Sequence, residues 1–183
     1  MIFSNNSDDV SYQLALSFLT KGETFLPDEN RIGESEKFIN RSIYLYEQLI
    51  KRKPFTPIYL RDLASALRVR AEYELEKNDL QNAEKDCRVA STILDRLMKP
   101  GERNLDVRGR RAQTLAVLAR IFYRRGSKIQ ARMLLCQAVE IVKKVVKENP
   151  ERHEDKTLLQ KLKLEYWIKY ILFRENQYKP SFM

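Results

Sequence analysis

The side chains able to do chemistry are few and scattered. One histidine, His153, stands beside Arg152, Glu154 and Asp155 in a predicted turn. No serine or cysteine lies close enough in sequence to suggest a nucleophile–base pair with it. It reads as a surface residue at a helix start. Cys87 and Cys136 show no CxxC spacing and fall in apolar-periodic segments, where a thiol packs as a small hydrophobe. A reducing, cytoplasmic setting is the expectation. No histidine, cysteine or carboxylate set has metal-ligand spacing. Gly101, Gly109 and Gly126 stand singly, so no glycine-rich phosphate loop is present. The paired acids Asp8-Asp9 and Asp28-Glu29 read as helix-start charges favoured by the helix dipole. No catalytic, cofactor-binding or metal-binding residue is assigned, and no enzyme activity is expected.

The basic residues are the richer set. Residues 1–36 hold seven acidic and two basic side chains, a net of −5, within a chain of net charge +9, so the remainder carries +14. A basic body with an acidic leading segment attracts polyanions, acidic peptides or its own N-terminus. It also suits a solvated helical surface. The clusters Lys51-Arg52-Lys53, Arg108-Gly109-Arg110-Arg111 and Lys143-Lys144 raise nucleic acid as the less favoured partner. They fall on different helices, and two lie near helix C-termini, where the dipole favours cations anyway.

Positioning these residues is the task of helices. Only five Gly and six Pro occur in 183 residues, and 32% of the chain is charged, a profile of long water-facing helices. Lys53-Pro54, Lys99-Pro100 and Asn149-Pro150 each follow a long amphipathic run that proline cannot continue. Asn78-Asp79 and Gly126-Ser127 break the chain between them. Seven helices are predicted: Asp8–Phe25 with Ser7 or Asp8 as N-cap, Glu34–Arg52, Pro57–Lys77, Leu80–Met98, Leu105–Arg125 with Gly126 as its left-handed cap, Lys128–Glu148, and His153–Glu175. Leu115, Leu118, Ala119 and Phe122 form one helical stripe, as do Ala131, Leu134, Leu135, Ala138, Ile141, Val142 and Val145. No run approaches the roughly 20 apolar residues of a membrane span. Met1–Asn6 lacks a basic segment followed by an apolar one, so no signal peptide is read there. No membrane partner is expected.

Small residues then recur at matching places. Leu115, Leu118, Ala119, Phe122, Gly126, Ala131, Leu135 and Ala138 resemble the tetratricopeptide pattern, and Leu67, Ala71, Leu75, Asp79, Ala83, Cys87 and Ala90 follow it more weakly. Alanine at a closest approach lets paired helices come near, and larger residues interlock around it. Arg61-Asp62-Leu63-Ala64, Asp79-Leu80-Gln81-Asn82-Ala83 and Val139-Glu140-Ile141 are similar to a long-repeat variety of the family, with units near fifty residues, often found beside bacterial signalling modules. In the first unit Ala15 is the candidate small residue, while Ser42 and Ile43 stand where alanine is expected. It is read as a divergent cap.

The resemblance implies an all-α, right-handed α-solenoid of about three antiparallel helix hairpins plus a C-terminal capping helix. A single repeat domain over 1–183 is expected, with hairpins at 8–53, 56–99 and 105–149 and the cap at 153–176. Tyr166, Trp167, Tyr170 and Phe173 would cover the last hairpin. It further implies a protein- or peptide-binding scaffold, such as the docking or sensory part of a bacterial regulatory protein. Its groove would be lined by Ser65, Arg68 and Glu72, by Gln113, Arg120, Tyr123 and Arg124, and by Gln160, Lys163 and Trp167. Arg68, Gln113, Arg120, Tyr123, Arg124, Lys163 and Trp167 are the expected peptide contacts, and an acidic peptide is the partner their charge favours. The asparagines of the family's chaperone-tail clamp are missing from these positions. Self-association of two copies through an exposed end is the structural alternative.

Overall fold

The computed structural model describes residues 3–98 and 104–167, with side chains over 7–98 and 104–166. Among the described residues there are seven α-helices and no strand. They form two compact units, Met1–Glu102 and Arg103–Met183. Unit 1 holds α1 (Phe3–Phe25), α2 (Ile32–Arg52), α3 (Pro57–Glu76) and α4 (Leu80–Leu97). Unit 2 holds α5 (Leu105–Arg124), α6 (Lys128–Glu148) and α7 (His153–Trp167). The tail of the last predicted helix, 168–175, with Tyr170 and Phe173, lies outside the described residues.

The turns follow from local chemistry. Asn78 (φ 60°) and Gly126 (φ 83°) both adopt the left-handed conformation. Each closes its helix in the same way. Asn78 N–H donates to Leu75 O and Asp79 N–H to Glu74 O, just as Gly126 N–H donates to Tyr123 O and Ser127 N–H to Phe122 O. These paired bonds satisfy carbonyls that the helix end leaves open. Asparagine tolerates the left-handed region better than most side chains, which is why it can stand in for glycine. The next helices start on side-chain caps at two places: Asp79 accepts from Asn82 N–H, and Asn104 accepts from Val107 N–H.

α1 begins at Phe3, five residues before the predicted start. Asp8 is therefore no N-cap. It is 6% exposed and takes Arg52 Nη1 at 2.9 Å and Lys53 Nζ at 3.0 Å, a tertiary role that sequence spacing did not show. Ser11, Thr20 and Thr24 bond back to the carbonyls four residues earlier, so these three hydroxyls stay within the helix.

In unit 1, α1 packs on α2, α2 on α3, and α3 on α4. Ser35 Oγ donates to Gly22 O at 2.7 Å and Ser42 Oγ to Ala15 O at 2.8 Å. Seven residues forward on α2 is thus seven backward on α1, so the two run antiparallel. A Cβ at Gly22 would sit 2.6 Å from Ile39 Cγ1 and 3.4 Å from Ser35 O. Gly22, not Ala15 alone, is the small residue that this approach demands. Tyr12 Oη donates to Asp62 Oδ2 (2.8 Å) and Arg68 pairs with Glu23, tying α1 to α3.

In unit 2, α5 packs on α6 and α6 on α7. Ala112, Leu115, Ala116, Ala119, Leu135, Ala138, Val139, Val142 and Leu162 make one core. Arg108 near the start of α5 pairs with Glu148 at the end of α6 (2.8 Å). Arg152 pairs with Asp106 (2.7 Å) and Arg120 with Glu165 (3.0 Å), fastening α7 alongside α5.

The burial pattern exposes an internal period. Ser35, Ala83 and Ala131 fall 48 residues apart, as do Ile39, Cys87 and Leu135, then Ser42, Ala90 and Ala138, then Tyr46, Leu94 and Val142. All of these are 0% exposed. The same contact position is serine in the first copy and alanine in the next two. A serine fits there because its hydroxyl finds a carbonyl on the facing helix, which removes the cost of burying it.

Candidate functional site

A polar cleft of about 400 Å³ opens in unit 1, lined by Glu36, Asn40, Arg70, Tyr73, Glu74, Lys77, Asp79 and Asn82. Arg70, Tyr73 and Glu74 share one stripe of α3 because they lie at i, i+3 and i+4, and Lys77, the C-cap residue at i+7, continues it. Glu36 and Asn40, four apart on α2, face them. The left-handed Asn78 turns the chain back so that Asp79 and Asn82 close the third side.

The walls are tied together. Tyr73 Oη donates to Glu36 Oε2 at 2.7 Å. Arg70 gives Nε and Nη2 to the two oxygens of Asp86 on α4, a bidentate pair, and reaches Asn40 Oδ1 at 3.4 Å. Glu74 is left over. Its Oε1 stands 3.9 Å from Arg70 Nε, and its buried Oε2 has no hydrogen-bond partner among the described residues. Burial first, and then repulsion from Asp86, push the Glu74 carboxyl up to about 7, with Arg70 offsetting only part; Asp79 and Glu36 push the same way. Burial, the bond to Glu36, and the charges of Glu36 and Glu74 raise the Tyr73 phenol to about 12. The Asp79 carboxyl is held below its usual value by the Asn82 backbone and side-chain hydrogen bonds.

The predicted groove residues divide between the units. Arg68, in unit 1, is 8% exposed and gives Nη1 to Glu72 at 2.9 Å and Nη2 to Glu23. Burial works against its charge, but Glu72 and Glu23 outweigh that and raise its pKa. It is occupied as a fastening of α3 to α1. In unit 2, Gln113 and Tyr123 are half-buried on α5, Arg124 is exposed, and Lys163 is exposed on α7. Arg120 is engaged by both oxygens of Glu165. The side chain of Trp167 lies outside the described residues.

The basic clusters are also partly spent. Arg52 and Lys53 hold Asp8, Arg108 holds Glu148, and Lys143 holds Glu140. Cys87 is buried and Cys136 half-buried, both as free thiols, and burial raises the Cys87 pKa. His153 is exposed at the start of α7. Among the described residues no group of three or more His, Cys, Asp or Glu is placed to hold a metal, and no helix is long and apolar enough to cross a membrane.

Sequence reasoning did not find the cleft. The stripe Arg70, Tyr73, Glu74, Lys77 was its available signal, but only packing decides that α2 sets two further polar residues opposite it. No family model matches the chain, and neither a curated protein nor a solved structure does.

Proposed function

We propose that the chain is a protein- or peptide-binding scaffold of the tetratricopeptide type, its helix hairpins the units of a right-handed α-solenoid. The observation that supports this reading is the 48-residue recurrence of fully buried small and large residues. In a repeat architecture each unit spends its apolar stripe on neighbours and leaves a polar face for partners. On α5 and α7 that face carries Tyr123, Arg124 and Lys163, two cations and an aromatic suited to an acidic peptide.

The test begins with cross-linking in native extract to identify a partner. Arg124→Glu combined with Lys163→Glu should then weaken its binding by roughly tenfold or more, with the helical signal retained. Arg120→Glu is a poorer probe, because it sets a carboxylate against Glu165 and strips a tie between α5 and α7. Unaltered affinity in the double variant would refute this face as the contact.

A further inference from the structure

The cleft of unit 1 gathers acidic side chains within a chain of net charge +9. Glu36, Glu74 and Asp79 line it and Asp86 lies behind. Against them stand Arg70, whose guanidinium is already given two-handed to Asp86, and Lys77. On top of burial, which is the main cause of both shifts, Asp86 raises Glu74 more than Arg70 lowers it, and Glu36 and Glu74 raise Tyr73. Among the described residues the carboxylate of Glu36 has only the Tyr73 hydroxyl as hydrogen-bond partner.

A second observation concerns Lys77. It makes no ion pair among the described residues, yet its Nζ stands over the Tyr73 ring, 6.0 Å from the centroid. That is the outer reach of a cation–π contact. The chain's own ammonium thus occupies, loosely, a place that ring and carboxylates make favourable for a cation.

We propose that this cleft receives the cationic nitrogen of a ligand, a guanidinium or primary ammonium group, which displaces Lys77 from the Tyr73 ring and is held by Glu36 and Asp79. An anion would meet the carboxylates of Glu36 and Asp79 and a guanidinium already given to Asp86, with Lys77 as its one cationic partner in the lining. The donor can come from a basic side chain of a peptide or from a free amine, and the chemistry at the cleft is the same. The inference is independent of the scaffold reading, which is tested on α5 and α7 in the other unit.

The experiment follows backbone amide shifts by NMR in the full chain during titration with N-acetyl-arginine amide and, separately, putrescine. N-acetyl-citrulline amide serves as the neutral isostere and inorganic phosphate as the anion. The expected result is saturable shifts centred on Glu36, Tyr73, Glu74 and Asp79 with a charged probe and none with citrulline. Response to the arginine probe alone marks a peptide side chain as the ligand; response to putrescine alone marks a free amine. Glu36→Gln and Asp79→Asn should each weaken binding by roughly two- to fivefold. Both keep the local hydrogen-bonding capacity, the second retaining a capping side chain. Lys77→Met should tighten binding by removing the internal competitor. Affinity should also rise with pH through about 7, as Glu74 loses its proton amid Glu36 on α2, Arg70 and Tyr73 on α3, Asp79 in the turn and Asp86 on α4, and Glu74→Gln should flatten that dependence. The proposal is overturned if neither charged probe saturates, if citrulline matches arginine, if phosphate binds instead, or if Lys77→Met weakens binding.

Discussion

Glu74 and Gly22 show how much a single side chain can be asked to bear. The Glu74 carboxyl is raised from 4.5 to about 7 in the folded chain, so the folded state holds its proton more tightly than the unfolded state. That contribution is fully present below about pH 4.5 and is lost as pH rises through about 7. Above that the chain must either carry a poorly paired buried charge or lose stability. Glu74→Gln should match wild type near pH 5 and exceed it near pH 8 by on the order of 1–2 kcal/mol, after allowing for solvent screening. Urea denaturation at the two pH values measures this, and equal pH dependence in both proteins would sink it. At Gly22 the added methyl of Gly22→Ala meets Ile39 on both side chain and backbone. Overpacking of this kind costs about 1–3 kcal/mol, readable as a fall in melting temperature.

At the scale of the element, the two left-handed turns give a matched comparison. Gly126→Ala forces a Cβ into a positive-φ residue and should cost about 1 kcal/mol, although nothing crowds the site. Asn78→Gly should be neutral or slightly stabilising, because the same backbone is then free of a side chain. A clear loss of stability in Asn78→Gly would mean that the Asn78 side chain does more than tolerate its φ. The helices themselves are held by unlike fastenings. α1 uses serine hydroxyls on its carbonyls and a buried Arg68 on Glu23, whereas α7 uses Arg152 on Asp106 and Glu165 on Arg120. Removing Arg68 by Arg68→Ala leaves Glu72 and Glu23 without their common cation, and a loss of about 2–4 kcal/mol is expected. Thermal unfolding followed by circular dichroism checks it.

Across the whole molecule, each compact unit has its own core. Leu162 is 1% exposed in the core of unit 2, so Leu162→Ala should cost about 2–5 kcal/mol and speed hydrogen exchange through α5, α6 and α7. The helices are legible in the chain alone: period-3.6 stripes, prolines and two left-handed turns are local signals, and six of the seven predicted elements both start and stop within two residues of the observed bounds over the described chain. The sequence also shows the buried small positions of α3 to α6, because alanine leaves a visible mark in an apolar stripe. It did not reveal that serine at 35 and 42, with glycine at 22, performs the same task in α1 and α2, since a serine looks polar until a facing carbonyl is known. Which charges pair across helices follows from packing alone. Asp8 left its expected cap for Arg52 and Lys53, Arg68 went inside, Arg120 went to Glu165, and Glu74 was left with an unpartnered oxygen. Charge pairing across helices depends on distances of a few ångströms between residues dozens of positions apart, and a periodicity read along one chain holds no record of them.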